Sequence, residues 1–166
     1  MFDIGAFVVY GNTGICKIED ITTIDMPGAD NNRLYYIMTS VRKNGNRVFV
    51  PVDSMKIILR AVMDKNSAIS FLDTLVEIDE ITADNDKVRE ELYKEYYKSC
   101  DCKSWVSIIK TISSRNKERI SQGKKITATD ERYYRMASEQ LYGELAFAME
   151  LEPSEVEKLV NDRMEI

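Results

Sequence analysis

The residue pattern changes character once, near position 62, and this change is the strongest constraint on what the chain can fold into. Before it, short runs of β-branched and aromatic residues alternate with turns rich in Gly and Asn. After it, apolar residues recur every three or four positions. These patterns are typical of β-strands and of amphipathic helices, respectively. We therefore predict an α+β fold, with a β domain at residues 1–62 and an all-helical domain at residues 63–166.

The β domain is predicted to contain about five short antiparallel strands. Their segments are AFVVY, GICKIEDI, LYYIMTSV, NRVFVPV and KIILRAV. The dipeptide of Asn44 and Gly45 lies between two of these segments and is a strong hairpin signal. Short strands with frequent turns favour a small antiparallel barrel or a strongly bent sheet.

The segment GNTG at residues 11–14 could be a ligand-binding loop or a turn. A phosphate-binding loop joins a strand to a helix, and the G-x-x-G clamp of a KH domain joins two helices. Here the segment joins two predicted strands, and Gly and Asn accept the positive φ that turns require. We interpret it as a β-turn.

The helical domain is predicted to contain a charged helix near residues 84–98 and an apolar helix after it. Asp101 has the position of an N-terminal cap for the apolar helix, and Thr127 with Asp130 matches a capping box that opens a long helix. Trp105 shares one helical face with three isoleucines, Ile108, Ile109 and Ile112. This spacing predicts that Trp105 is a core residue.

The residue types argue against several classes of function. The chain has no histidine, so it cannot form a Ser–His–Asp or Cys–His catalytic arrangement. It also has no glycine motif for nucleotide phosphates. The cysteines, Cys16, Cys100 and Cys102, suggest neither a disulfide framework nor a zinc site. We therefore expect no metal, no cofactor and no enzyme activity.

Charge is distributed unevenly along a chain whose net charge is −5. Residues 98–135 carry a net charge of +6, whereas residues 61–97 and 136–166 each carry −6. A basic block between acidic ones could face phosphates while its flanks repel them. No apolar run is long enough to cross a membrane, and the first residues lack the pattern of a signal peptide. We expect a cytoplasmic protein.

Three motifs occur in an order that is typical of one protein family. G-x-x-V-V-Y-x-x-x-G occupies residues 5–14, V-x-V-P occupies residues 48–51, and GELA occupies residues 143–146. Together they resemble the CarD-like (CarD/CdnL) family of bacterial transcription regulators. The β domain is similar to that family's RNA-polymerase-interacting domain, which also occurs in the transcription-repair coupling factor.

This resemblance implies a fold and a function for each half of the chain. The β domain would be a Tudor/SH3-like barrel that holds the β subunit of RNA polymerase. The helical domain would contact promoter double-stranded DNA at the upstream edge of the melted region. The protein would change the stability of the open promoter complex and would have no catalytic activity. Nothing in the sequence requires an oligomer, so we expect a monomer.

The predicted polymerase-binding residues lie in the segment RVFVP. They are Arg47, Val48, Phe49, Val50 and Pro51. An edge strand offers unpaired backbone groups to which a partner strand can add, and Pro suits an edge or a strand end. Arg47 and Phe49 alternate with the two valines, so one face could be core and the other a contact face. The alternative is that Phe49 packs within its own sheet.

The predicted DNA-binding residues come mainly from the basic block. They are Lys87, Arg89, Arg115, Lys117, Arg119, Lys124, Lys125 and Arg132. Lys and Arg side chains neutralise backbone phosphates. The alternative is an ordinary solvated charged face, in which Arg135 could pair with Glu131 or Glu139.

The sequence departs from the family where a tryptophan would wedge into the minor groove. The matching stretch, NDKVR at residues 85–89, has no aromatic residue. Tyr93, Tyr96 and Tyr97 follow it, and we expect at least one of them to be a core residue. The departure leaves two hypotheses open, a CarD-like regulator that binds polymerase and DNA, and a protein–protein adaptor with little or no DNA binding.

Overall fold

The computed structural model describes residues 1–42 and 45–166. The chain divides into two compact units, Met1–Val62 and Met63–Ile166. The predicted hairpin turn at Asn44 lies outside the described residues. None of the described helices is long and apolar enough to cross a membrane.

The N-terminal unit is a five-stranded antiparallel sheet with the strand order β4-β3-β2-β1-β5. The strands are β1 (Phe7–Tyr10), β2 (Gly14–Thr22), β3 (Tyr35–Ser40), β4 (Arg47–Pro51) and β5 (Leu59–Ala61). Each predicted strand segment forms one strand, so the period-two pattern was a sufficient signal here. The register of β2 against β3 shifts between Ile18 and Asp20, which makes an irregularity in the ladder.

The described strands form a sheet that is not closed into a barrel. Among the described residues, β4 pairs only with β3 and β5 pairs only with β1, so the sheet has two open edges. β5 is only three residues long, and β4 ends at Pro51, which has no N–H to donate. A closed barrel would need a continuous ladder between these two strands.

One face of the sheet forms the core of the N-terminal unit. Its buried residues alternate along the strands, as expected for side chains with a period of two. They are Val8, Cys16, Ile18, Tyr36, Met38 and Val50. The segment GNTG connects β1 to β2 as a short 3-10 turn, which confirms its interpretation as a turn between strands. Gly11 is required there because its φ is +43° and an added Cβ would lie 2.6 Å from Cγ2 of Ile57.

The C-terminal unit contains five α-helices. They are α1 (Lys65–Thr74), α2 (Asp86–Lys98), α3 (Cys102–Ser121), α4 (Ala128–Met149) and α5 (Pro153–Met164). The predicted caps are confirmed: Asp101 accepts a hydrogen bond from the backbone N–H of Ser104 at 3.1 Å, and Thr127 accepts one from Asp130 at 3.1 Å. Such bonds satisfy N–H groups that have no partner within the helix.

The core of the helical unit is centred on α3. Trp105 is 1% exposed, and its indole N–H donates a hydrogen bond of 3.2 Å to the backbone carbonyl of Tyr97. The three isoleucines of the same face are fully buried, which confirms that Trp105 is a core residue. Tyr93 and Tyr97 are also buried, as expected for at least one tyrosine of α2.

Candidate functional site

β4 lies at one edge of the sheet and contains all five predicted polymerase-contact residues. Val50 is 4% exposed and belongs to the core. Val48 packs against the same core and is partly buried. Arg47 and Phe49, which alternate with the valines, are exposed. The strand therefore has one core face and one solvent-facing face.

Along β4, the residues whose side chains face solvent are also the residues whose backbone N–H and C=O groups do not bond to β3. Two backbone hydrogen bonds flank the β3–β4 ladder. Ser40 N–H donates to the carbonyl of Asn46 at one end, and Val52 N–H donates to the carbonyl of Leu34 at the other. Since every second pair in an antiparallel ladder is hydrogen-bonded, these two bonds fix which residues of β4 bond to β3. The register makes Val48 and Val50 the bonded residues between them. Hence the backbone groups of Arg47 and Phe49 point away from β3, towards the open edge.

The solvent-facing side of the sheet carries exposed aromatic side chains on β4 and β1 and basic side chains on β4 and β2. Phe49 lies opposite Ile37 in the ladder and is 37% exposed, and Phe7 on β1 is 39% exposed. Arg47 lies opposite Thr39, which in turn lies opposite Lys17. Phe49 is therefore only partly covered by its own sheet and keeps surface for a partner.

The predicted DNA-binding residues differ in the contacts that they make within the fold. Two of them, Arg89 and Arg115, belong to an intramolecular network that we call the Asp130 cluster. Its members are Asp86, Arg89, Tyr93, Arg115 and Asp130. The cluster lines a cavity of about 230 Å³.

Asp130 is the buried centre of this cluster. It is 2% exposed, and its carboxylate accepts hydrogen bonds of 3.2 Å from the Tyr93 hydroxyl and of 3.2 Å from Nε of Arg115. Arg115 also lies 3.5 Å from the carboxylate of Asp86, with which Arg89 forms a second ion pair. Because a buried carboxylate needs a partner, Arg115 has a structural role in holding Asp130. Among the described residues, Arg89 forms an ion pair only with Asp86, whose side chain is exposed.

The sequence did not indicate this role of Asp130. Its spacing from Thr127 predicted a capping box, and the Thr127 half of that motif is present. The carboxylate of Asp130, however, turns to residues of α2 and α3. Burial in the cluster, with the Asp130 carboxylate as the second cause, raises the pKa of Tyr93 above its ordinary value.

Three more of the predicted DNA-binding residues make contacts within the chain. Nη2 of Arg132 lies 2.8 Å from the carboxylate of Glu90 in a half-exposed ion pair. Nζ of Lys117 donates to the backbone carbonyl of Glu165 at 3.2 Å. Nε of Arg119 donates to the backbone carbonyl of Lys125 at 2.8 Å. Lys117 and Arg119 thus bind backbone carbonyls, which carry no net charge, so these contacts do not neutralise their side chains.

Lys87, Lys124 and Lys125 are exposed, and none of them forms an ion pair with a described residue. Arg135 likewise makes no ion pair within the described ranges, so the pair with Glu131 or Glu139 that the alternative interpretation allowed is not formed. The predicted DNA-binding residues therefore separate into a group engaged in ion pairs, Arg89, Arg115 and Arg132, and a group without an ion pair among the described residues, which includes Lys87 on α2 and Lys124 and Lys125 in the α3–α4 connection.

A second buried carboxylate, Glu144 of the GELA motif, was also missed by sequence reasoning. It is 2% exposed and accepts hydrogen bonds of 3.2 Å from the Met63 N–H and of 3.2 Å from the Cys102 thiol. No three acidic or cysteine side chains of the described residues converge in an arrangement that could hold a metal ion.

Comparison with known protein families finds a match for the N-terminal unit. Residues 2–63 match the family model of the CarD-like/TRCF RID domain, and the match covers all five strands of the sheet. No curated protein matches the chain. The motifs at residues 5–14 and 48–51 fall within the matched range. The N-terminal unit therefore belongs to the CarD-like/TRCF family of RNA-polymerase-interacting domains.

Proposed function

We propose that this protein is a cytoplasmic CarD-like transcription regulator without catalytic activity. Its N-terminal sheet would bind the β subunit of RNA polymerase along β4, and its helical unit would bind promoter double-stranded DNA. Simultaneous binding of both partners would change the stability of the open promoter complex. The Tudor-like classification of the sheet and the DNA role of the helical unit follow from the resemblance to the CarD-like family.

One observation carries the polymerase part of the proposal, namely that β4 is an open edge within a polymerase-interacting domain. The residues whose side chains face solvent, Arg47 and Phe49, are also those whose backbone groups point towards that edge. A strand of the partner could add to the sheet there, with backbone hydrogen bonds for affinity and side-chain contacts for specificity. Pro51 would limit the length of the added strand because it has no N–H.

The experiment is a pull-down of RNA polymerase from bacterial extract with the wild type and an Arg47→Glu/Phe49→Ala variant. The matched control is Lys56→Glu/Met55→Ala, which likewise replaces a basic residue by Glu and a large apolar residue by Ala, at two exposed residues of the β4–β5 connection. Circular dichroism would verify that each variant is folded. We expect the wild type and the control to retain the β subunit and the β4 variant to lose it.

The other outcomes distinguish a wrong partner from a wrong contact strand. Equal retention by all three proteins would mean that polymerase is the partner but β4 is not the contact. Failure of the wild type to retain polymerase would overturn the proposed partner.

A second candidate function is a polymerase-binding adaptor with little or no DNA binding. The Asp130 cluster favours it, because Arg89 and Arg115 are engaged with carboxylates and are less available to phosphates. Equilibrium binding of a labelled DNA duplex at low salt decides between the two candidates. A regulator would bind the duplex with an affinity that falls steeply as salt increases, whereas an adaptor would not bind it at any salt concentration.

A further inference from the structure

The cavity of the Asp130 cluster contains two largely covered guanidinium groups and, between them, a carboxylate that is open to solvent. The side chains of Arg89 and Arg115 are 15% and 25% exposed, whereas that of Asp86 is 89% exposed. Both arginines contact the same carboxylate oxygen of Asp86, Oδ1. An ion pair with a solvated partner stabilises little, because solvent screens it and the side chains lose entropy. Asp86 can therefore turn out into solvent at low cost.

Other contacts keep the two arginines in position when Asp86 turns away. Nε of Arg115 donates to the buried carboxylate of Asp130 at 3.2 Å, and Nη2 of Arg89 donates to the backbone carbonyl of Ala83 at 3.4 Å. A guanidinium group has five N–H donors, so each arginine retains donors for a further acceptor. A site whose cations are already held in place loses less conformational entropy when it binds an anion.

The rest of the lining supplies a third positive charge and two hydroxyl groups. Lys87, Glu90, Thr127 and Thr129 line the same cavity of about 230 Å³. The charge of Glu90 is balanced by Nη2 of Arg132, which lies 2.8 Å from its carboxylate. Ammonium, guanidinium and hydroxyl groups all donate hydrogen bonds to the oxygen atoms of an oxyanion.

The charges of the cavity match a doubly negative ligand. With Asp86 in place, Arg89 and Arg115 face two carboxylates, and Lys87 is the positive charge in excess. When Asp86 turns into solvent, three positive groups face the one carboxylate of Asp130, which leaves an excess of two. A phosphate monoester carries a charge of about −1.5 to −2 at neutral pH and three strong acceptor oxygens.

We propose that this cavity binds the phosphate group of a small phosphomonoester, in the place that the Asp86 carboxylate occupies between Arg89 and Arg115. Asp86 is then an internal competitor that the ligand displaces, and Asp130 positions Arg115 in both states. A groove of about 500 Å³ shares Lys87 and other lining with the cavity and provides room for the organic part of the ligand. The proposed site is independent of polymerase binding and of duplex binding.

The chemistry of the cavity fits a monoester better than a phosphate of a nucleic-acid duplex. A backbone phosphodiester carries one negative charge, so it does not match the excess of two. It is also bonded to a sugar on each side and cannot present a terminal phosphate to a cavity. A small monoester brings the full charge and three oxygens on one end of the molecule.

The first test measures binding of inorganic phosphate by isothermal titration calorimetry at constant ionic strength. Arg89→Gln should weaken binding at least about tenfold, because it removes a charged donor without uncovering the buried Asp130. The matched control is Arg163→Gln, which removes an arginine from an ion pair with Asp73 on another face of the helical unit. The control should bind phosphate as the wild type does, and circular dichroism would verify that each variant is folded.

The second test uses the competitor and has the opposite sign. Asp86→Asn should tighten phosphate binding about two- to fivefold, because the amide keeps the shape of the side chain and removes the competing charge. Asp73→Asn is the matched control, since it neutralises an exposed aspartate of the other ion pair and should leave the affinity unchanged. A purely structural role of Asp86 predicts no gain in affinity.

The third test identifies the form of phosphate that the site accepts. Methyl phosphate is a monoester and dimethyl phosphate is a diester, and they differ by one methyl group and one charge. Methyl phosphate should compete with inorganic phosphate for the site, whereas dimethyl phosphate and a short DNA duplex should not.

Three results would overturn the proposal. The first is the absence of phosphate binding to the wild type at millimolar concentrations. The second is equal weakening by Arg89→Gln and Arg163→Gln, which would mean that phosphate follows overall charge. The third is equal competition by dimethyl phosphate or the duplex, which would assign the cavity to nucleic-acid phosphates instead. Because the measured quantity is phosphate binding, failure of polymerase retention would leave this result unchanged and is distinguishable from it.

Discussion

Nε of Arg115 donates a hydrogen bond of 3.2 Å to the buried carboxylate of Asp130, and this pair joins α3 to α4. The side chain of Arg115 is 25% exposed, whereas that of Asp130 is 3% exposed. The carboxylate is therefore the partner that depends more on the pair, because a charge without solvent must be neutralised by the protein.

Replacement of Asp130 by Asn should destabilise the helical unit. The amide keeps the shape of the side chain but removes the charge opposite Arg115, and we expect a loss of about 1–3 kcal/mol because Arg115 remains partly solvated. Urea denaturation measures this change. Glu131→Gln is the control, since Glu131 is the exposed neighbour on the same helix. Equal stability of the two variants would contradict a structural role for the pair.

The stability of the folded protein should decrease at alkaline pH, partly because of Tyr93. Burial and the Asp130 carboxylate raise the pKa of Tyr93 in the folded state, whereas in the unfolded chain it titrates at about pH 10. Above that pH the folded state binds more protons than the unfolded state, so the free energy of unfolding falls as pH rises towards the folded pKa. Below about pH 10 the contribution is fully present.

A Tyr93→Phe variant should show a weaker decline of stability between about pH 9 and pH 11 than the wild type. The measurement is a series of urea denaturation curves across this range. Tyr96→Phe, at a partly buried position of the same helix, serves as the comparison. An unchanged pH dependence in Tyr93→Phe would show that other groups cause the decline.

Substitution of Gly11 by Ala should destabilise the N-terminal sheet more than the same substitution at Gly28. Both glycines have a positive φ, at +43° and +87°, but a Cβ at Gly28 would meet no atom within 4 Å. At Gly11 it would lie 2.6 Å from the Ile57 side chain. Both variants lose stability through backbone strain at a positive φ. Gly11→Ala should lose about 1 kcal/mol or more in addition, because the Ile57 side chain must move to relieve the overlap. Thermal denaturation of both variants tests the difference, and equal losses would mean that Ile57 moves away without cost.

The three cysteines should react with a disulfide reagent only slowly while the protein is folded. All of them are buried thiols that form no disulfide, and burial raises the pKa of the Cys16 thiol, which lowers its thiolate fraction. Rapid reaction is expected after unfolding in urea. An added exposed thiol, Ser121→Cys, provides the reference for an accessible site. Fast modification of a native cysteine would reveal local opening of the element that contains it.

Local signals in the sequence were sufficient to predict the individual strands and helix caps. The third strand was predicted at residues 34–41 and forms at Tyr35–Ser40, because its apolar and β-branched residues have no helical period. Asp101 and Thr127 were identified as caps because the bonding N–H lies only three residues away. Such signals require no knowledge of distant parts of the chain.

Features that depend on distant residues could not be predicted in this way. Closure of the sheet requires β4 and β5 to pair, and neither strand's own sequence shows whether the other is within reach. The basic residues formed one block along the sequence, yet the fold engages Arg115 with Asp86 and Asp130 and leaves Lys124 and Lys125 without ion pairs among the described residues. A count of charges along the sequence cannot distinguish the paired from the unpaired basic residues, because it contains no information about burial or about neighbours in the fold.

The open edge of β4 also has a consequence for the free protein in concentrated solution. Backbone groups that can receive a strand of another protein can equally receive β4 from a second copy, which would start self-association into an extended sheet. The five-residue length of the strand, the charge of Arg47 and the missing N–H of Pro51 all oppose such pairing. The features that restrict which strand can be added thus also keep the free protein from aggregating through this edge.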